Sequence, residues 1–206
     1  MAASCDVFFD STTKREALTL LRQYHYIGSQ CADPTFTFVW RREGGLFGEH
    51  GTACAACLFA PPASFAWGAS AIELTRLVRD ETSMPPLTTL LSQSLSVLRK
   101  TKRFSLVIAY ADPDAGHHGG VYQAGSWLYV GKSSVKSCYI HKETGKRSSQ
   151  RSFDQSNYDR SEWAKRKTSP KYTYVFPLSQ SARRQWLDKS LPFPKPRLVK
   201  SCGEDS

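Results

Sequence analysis

Ala71–Tyr110 reads AIELTRLVRDETSMPPLTTLLSQSLSVLRKTKRFSLVIAY, and this stretch decides the fold. Ala71–Val78 has the β-branched and apolar content of a strand. A polar turn, Arg79–Met84, follows it. Pro85-Pro86 then opens a helix, because proline's fixed φ suits a first turn whose N–H groups have no intrahelical acceptor. Leu87, Leu90, Leu91, Leu95 and Leu98 recur at helical spacing and form one apolar face. Ser105–Tyr110 (SLVIAY) is short, apolar and bounded by polar residues, which predicts a buried strand. Strand, helix and strand in succession predict a crossover pair within one sheet.

Upstream, Thr13-Lys14-Arg15-Glu16 has the form of a capping box, and Leu18, Leu21 and Tyr24 follow at helical spacing. A helix from about Thr12 to Tyr24 is expected, closed by Gly28 after Tyr24-His25-Tyr26. Thr35–Arg42 and Thr52–Phe59 flank Gly44-Gly45 and predict an antiparallel pair. Downstream, His118–Ser126 has the length of a short helix, and Trp127–Gly131 returns as a strand. Lys132–Pro170 changes to Ser, Lys, Arg, Gln and isolated aromatics with no period, which reads as a long and partly mobile insertion. Tyr172–Leu178 is a final strand, Ser181–Leu187 a short basic helix, and Leu191–Pro196 an extended exit. The expected class is mixed α/β (α+β), with a core over residues 1–131, a basic insertion over 132–170 and a strand, helix and tail over 171–206.

A chain of 206 residues with 40% hydrophobic content can build one sizeable core. Its net charge is +10, and the placement is uneven. Residues 1–131 carry 11 Lys+Arg and 11 Asp+Glu, whereas 132–206 carry 17 against 7. A neutral body with a basic appendage points to a polyanion, and nucleic acid is the first candidate, since neutralised phosphates release counterions. A purely solubilising tail is the plain alternative. Arg147, Arg151, Arg160, Lys165, Arg166, Lys167 and Lys171 are interleaved with Phe153, Tyr158, Trp163 and Tyr172, a mixture suited to phosphate contact and base stacking on double-stranded DNA.

Six cysteines are too sparse here for a disulfide framework and fit reduced thiols. The N-terminus lacks the pattern of an export signal, and the longest apolar stretch, Cys54–Trp67, is broken by Pro61-Pro62. A cytoplasmic location without membrane contact is expected. Cys54-x-x-Cys57 has no second ligand pair, and His117-His118 stands alone, so buried thiols are expected rather than a zinc site.

Glu73-Leu74-Thr75-Arg76, then Tyr110-Ala111-Asp112, then Gly120-Val121-Tyr122-Gln123-Ala124 and Trp127–Gly131 occur in one order and spacing. Together with Tyr24-His25-Tyr26 and a basic tail, this constellation resembles the Mom family of phage DNA-modification proteins over about residues 16–197. The resemblance implies a GNAT-type acetyltransferase fold, a mostly antiparallel splayed sheet flanked by helices, with a basic C-terminal extension. It implies conversion of adenine in duplex DNA to an N6-carbamoylmethyl form that protects phage DNA from host restriction. In such folds the fourth and fifth strands part to admit a thioester, and a tyrosine follows the fifth. Here these are Ala71–Val78, Ser105–Tyr110 and Tyr122. Acetyl-CoA or another acyl donor is implied near Ser83, Leu87 and Thr88, and the family has been linked to iron, for which His25 and Asp112 are the candidates. The loop Arg79–Met84 departs from the glycine-rich phosphate loop of GNAT enzymes and carries two acids.

The N6 lone pair of adenine is delocalised into the ring, so bond formation at N6 requires a proton acceptor. Asp112 is the first choice, at the C-terminal tip of a buried strand, and the plain alternative is a turn aspartate capping the next segment. Tyr122 is expected to orient the base or serve the leaving group, or else only to pack beneath the sheet. His25 and Tyr26 offer a second base and a stacking surface, although a helix-terminal histidine also partners the helix dipole. Arg76 is expected to hold substrate charge. Three positions from Glu73 in one strand, it shares a face with that residue only if a bulge intervenes. An acetyltransferase acting on a protein or small amine, and a non-catalytic DNA-binding protein on the same scaffold, are the competing functions.

Overall fold

A computed structural model describes residues 7–10, 14–26, 33–42, 51–80 and 86–195, without the side chains of residues 7–10 and Arg151. The Thr13 capping position, Gly28, the Gly44-Gly45 turn, Ser83, Pro85 and the end of the tail lie outside the described residues.

Strands β1 (Val7–Asp10), β2 (Phe36–Arg42), β3 (Ala53–Ala60), β4 (Ala71–Arg79), β5 (Leu106–Ala111), β6 (Leu128–Lys132) and β10 (Tyr172–Pro177) form one sheet in the order β1-β2-β3-β4-β5-β10-β6. Every described pairing in it is antiparallel except β4 with β5. That parallel pair is joined by α2 (Leu87–Thr101), the crossover that the leucine spacing predicts. Leu90, Leu91, Leu95 and Leu98 are buried, and α2 packs with α3 (Gly120–Ala124) against one face, around Phe38, Ile72, Leu74, Ala109, Trp127 and Tyr174. Helix α1 (Lys14–Tyr24) covers the opposite face through Ala17, Leu20 and Leu21 against Val39, Ala56, Leu58 and Val78. Further along the sheet, Ile108 and Val175 pack with Trp67, Tyr110 and Trp186, the last from α5 (Gln180–Leu187).

Residues 132–170 differ from the expected aperiodic, partly mobile insertion. They contain a second sheet, β8-β7-β9, from β7 (Ser137–His141), β8 (Arg147–Ser149) and β9 (Trp163–Lys167), with α4 (Gln150–Asp154) between β8 and β9. These strands are only three to five residues long and charged on exposed positions, so they leave no two-residue alternation in the sequence. Their support is a small aromatic core. Tyr139 stacks on Phe153 at 3.7 Å, Phe153 meets Trp163 edge-on at 5.4 Å, and Tyr158 stacks on Trp163 at 4.8 Å. Phe153 and Trp163, read from the sequence as surfaces for stacking bases, are buried against each other instead.

Candidate active site

The site arises from one irregularity in β4. Leu58 pairs with Arg76 and Phe59 with Leu74, so Thr75 is the extra residue of a β-bulge, and its Oγ1 donates to the Leu58 carbonyl at 3.1 Å. The ladder between β4 and β5 ends at Leu74 opposite Ala109, while β4 runs on to Arg79 and β5 to Ala111. Between the parted strands lies a cavity of about 930 Å³. It is lined by Glu73, Arg76 and Tyr110 from one face of the sheet and by Leu87, Val121 and Tyr122 from the other, so it passes through the sheet. The bulge also moves Arg76 onto the face of Glu73, the one arrangement in which both reach a common site.

Asp112, 4% exposed, stands at the tip of β5. Its two oxygens have different partners. Oδ1 accepts from the Asp114 N–H at 3.0 Å and caps a 3-10 turn over Pro113–Ala115, while Oδ2 lies 3.0 Å from Lys171 Nζ beside the cavity. The Tyr26 phenol is near enough to this carboxylate for Asp112 to raise its pKa.

Tyr26 and His25 follow the last turn of α1 and stack at 4.7 Å, with Tyr26 a further 5.5 Å from the His117 ring. Burial, followed by the charges of Arg76, His117 and Lys171, lowers the His25 pKa to about 4. His25 is therefore a neutral imidazole at physiological pH. Burial and the neighbouring Asp112 push the Tyr26 phenol up to about 12. Burial likewise raises the Tyr122 phenol, whose ring is packed 5.1 Å from Trp127 and 5.2 Å from Tyr174. Glu73 is raised by burial, against the opposing pull of the Ala63 N–H at 3.2 Å and of Lys136, Arg76 and Lys171.

Helix α3 brings Tyr122 to the cavity through Gly119, whose φ of 90° is left-handed and whose missing Cβ leaves room for the Tyr174 ring. The Tyr174 hydroxyl donates to the His118 carbonyl at 2.6 Å, and Gln123 Nε2 donates to that hydroxyl at 3.0 Å. Leu87 reaches the cavity at the start of α2, whereas Thr88 is half-buried outside its lining, and Ser83 lies outside the described residues. Pro86 stands at the N-cap of α2 with no side-chain bond, and the Thr89 N–H donates to its carbonyl at 2.8 Å. Beyond Leu74 the inner edge of β4 faces the cavity, and an extended amide-bearing thioester arm fits such an edge beside Leu74, Leu77 and Leu87.

The basic residues separate. Lys171 lines the cavity, and Arg147 Nη2 bonds Asp114 at 3.2 Å, joining the small sheet to the cavity rim. Asp114 also accepts from the Ser169 N–H at 3.1 Å. Lys165, Arg166 and Lys167 are exposed along β9, and Arg160 is exposed with its guanidinium 5.9 Å from the Phe153 ring. The side chain of Arg151 lies outside the described residues. Sequence reasoning did not place Trp67, Lys136 or His117 at this site. They arrive from loops with no motif, and only the fold brings them together.

Cys54 and Cys57 are buried, and burial pushes the Cys57 thiol up to about 12 beside the Ser94 hydroxyl at 3.1 Å. Among the described residues no three of His, Cys, Asp and Glu converge as a ligand set, so the iron expected at His25 and Asp112 gains no third protein ligand there. No described helix is long and apolar enough to cross a membrane.

The Mom protein family model matches residues 6–195, nearly the whole chain that builds this cavity. The chain belongs to the Mom protein family. Among solved structures, the ribosomal-protein-S18-alanine N-acetyltransferase of Escherichia coli aligns with a TM-score of 0.53 at 9% identity, covering 85% of this Mom-family chain and 96% of the other. The GNAT family N-acetyltransferase YhbS of Escherichia coli, solved with CoA, gives 0.53 at 11% identity, covering 88% and 87%. The acetyltransferase-type protein yncA of Salmonella typhimurium, solved with acetyl-CoA, gives 0.51 at 11% identity, covering 84% and 95%. Such identities establish a shared fold, the mixed sheet of GNAT proteins with its parted central strands. No curated protein matches the chain.

Proposed function

We propose that this Mom-family chain is a transferase that attaches a carbamoylmethyl or related acyl-type group to N6 of adenine in duplex DNA, acting in the cytoplasm of a phage-infected host to shield DNA from restriction. The observation that carries this reading is the cleft through the sheet, which sets Asp112, Tyr26, His25, Arg76 and Tyr122 around one space. One side of the cleft is apolar, through Leu74, Leu77, Leu87 and Val121, and suits the arm of an acyl thioester, which when bound supplies an activated carbon. The other side offers polar groups and rings to a flat, everted base.

With an acyl thioester bound, Asp112 would accept the proton that N6 loses as N6 bonds to the acyl carbon, while the bond from that carbon to sulfur breaks and the sulfur leaves as thiolate. A carbamoylmethyl product requires instead a donor whose methylene carbon carries the leaving group. Lys171 pairs with the Asp112 carboxylate and holds it against the cavity wall. Tyr122, kept protonated by burial, donates a hydrogen bond rather than a proton. His25, neutral at physiological pH, can accept a hydrogen bond from the base edge or pass the proton onward. Arg76 stabilises negative charge that gathers on the leaving group or the base.

Mass spectrometry of nucleosides from DNA of cells expressing the chain tests the reading. A modified deoxyadenosine that is absent from control cells is expected, and an unmodified adenine pool would overturn it. The fold shared with N-acetyltransferases, one of them a ribosomal-protein-S18-alanine N-acetyltransferase, favours acetylation of a protein or small amine as the second reading, and acetyl-CoA turnover with unmodified DNA would select it.

A further inference from the structure

Phe65 is fully exposed, at 100% of its surface, which no other described large apolar residue approaches. Single exposed apolar residues are ordinary on proteins, so its setting decides the matter. It begins a 3-10 turn, Phe65–Trp67, held at both ends: Ser64 Oγ accepts from the Ala66 N–H at 3.4 Å, and Gly68, at φ 76°, returns its N–H to the Phe65 carbonyl at 3.1 Å. The turn is fastened on either side. The Ala63 N–H bonds Glu73 inside the cleft, Trp67 Nε1 donates to the Tyr110 hydroxyl at 3.0 Å, and the Trp67 ring lies 5.7 Å from that of Trp186. The Phe65 ring is therefore presented by a fixed support and packs on none of the described residues.

Ala63, Ser64, Ala66 and Trp67 all line the cleft, so Phe65 stands on its lip, which also carries Lys136 and Lys189. An unsupported ring among cations matches a partner whose outside is anionic and whose interior is a stack of flat apolar faces. Duplex nucleic acid has that arrangement. Eversion of a base leaves a gap in the stack, and an inserted apolar side chain fills it. We infer that Phe65 is a wedge that enters the duplex as the target adenine leaves it. This rests on the reading of the cleft as a site for an everted base, and it adds the residue that opens the helix.

A duplex carrying 2-aminopurine at the target position reports eversion by a rise in fluorescence, without any chemistry. The wild-type chain should raise it severalfold. Phe65→Ala should lose roughly nine-tenths of that rise while binding the duplex within about threefold of wild type, because phosphate contacts dominate affinity. Phe65→Trp should keep the rise, and Phe65→Ala should regain it when the target faces an abasic site. Circular dichroism of both variants should match wild type, since the ring touches no core. A rise in Phe65→Ala equal to wild type would overturn the wedge and leave the DNA reading standing. So would a wild-type chain that binds the duplex with no rise at all. Failure of the wild-type chain to bind DNA would remove both.

Discussion

At the cleft of the large sheet two cations, Arg76 and Lys171, turn toward the cavity. Lys171 sits 3.0 Å from Asp112 in the cavity wall, and Arg76 shares the cleft with Glu73. On the small sheet Lys165, Arg166 and Lys167 are exposed along β9, with Lys165 Nζ 6.0 Å from the Tyr139 ring that stacks on Phe153. A charge enters a protein interior only where an opposite charge and hydrogen bonds offset its desolvation, and carboxylates are present at the cleft to do so. The same residue types thus acquire different work. Those in the cleft act on the groups around them, and those on β9 face solvent.

The sharpest contrast comes from Asp112→Asn. Loss of the carboxylate should lower adenine modification by about 10²–10⁴-fold, the usual worth of a general base. Duplex affinity should stay within a few-fold of wild type, measured by anisotropy beside nucleoside mass spectrometry. A large loss of affinity would make Asp112 only the cap of the Pro113–Ala115 turn. Trp163→Ala acts on the other region. Truncating this buried ring should destabilise the small sheet by roughly 3 kcal/mol. Hydrogen exchange should show β7, β8 and β9 losing protection while β4, β5 and β10 keep theirs. Joint loss would mean that the two sheets unfold as one unit.

The sequence separates the two regions unevenly. The crossover pair was legible because Leu87, Leu90, Leu91, Leu95 and Leu98 repeat at helical spacing between two apolar runs. The bulge was not, because Thr75 is an ordinary strand residue and only its pairing with β3 reveals the extra position. That single residue decides whether Glu73 and Arg76 share a site. The place of Asp112 at a strand tip was legible, but its bond to Lys171 spans 59 positions and leaves no local trace. The small sheet escaped notice because its strands are too short to show a period. Two of its rings, Phe153 and Trp163, are buried rather than open to bases, and that burial depends on their packing against each other. β1 was missed for a similar reason, being only four residues long.

Charge placement can be tested by removing it. Lys165, Arg166 and Lys167 changed together to Gln should reduce the slope of log binding constant against log salt by about 2 to 3, near 0.9 for each phosphate no longer neutralised. Modification at saturating DNA should change little. Lys171→Met should do the reverse, lowering turnover while sparing the slope. If the triple variant leaves the slope untouched, β9 does not grip DNA and the contrast between the sheets fails on that side.

The smallest effect separates the cleft from the surface by pH. His25 has a pKa of about 4 in the folded chain, against 6.5 for an ordinary histidine. Between these values the unfolded chain binds a proton that the folded chain does not, so stability falls as pH drops from 6.5 toward 4 and the penalty then levels off. His25→Gln removes the group and should make that decline shallower. Because the imidazole is only partly sheltered, the difference should be about 1–2 kcal/mol rather than the full value of the shift, read from urea midpoints at pH 4.5 and 7. Above pH 6.5 the imidazole is neutral in both states and contributes no pH dependence to stability. An unchanged acid decline in His25→Gln would show that the imidazole takes up its proton in the folded chain as well. Burial, with the charges of Arg76, His117 and Lys171, would then not be lowering its pKa.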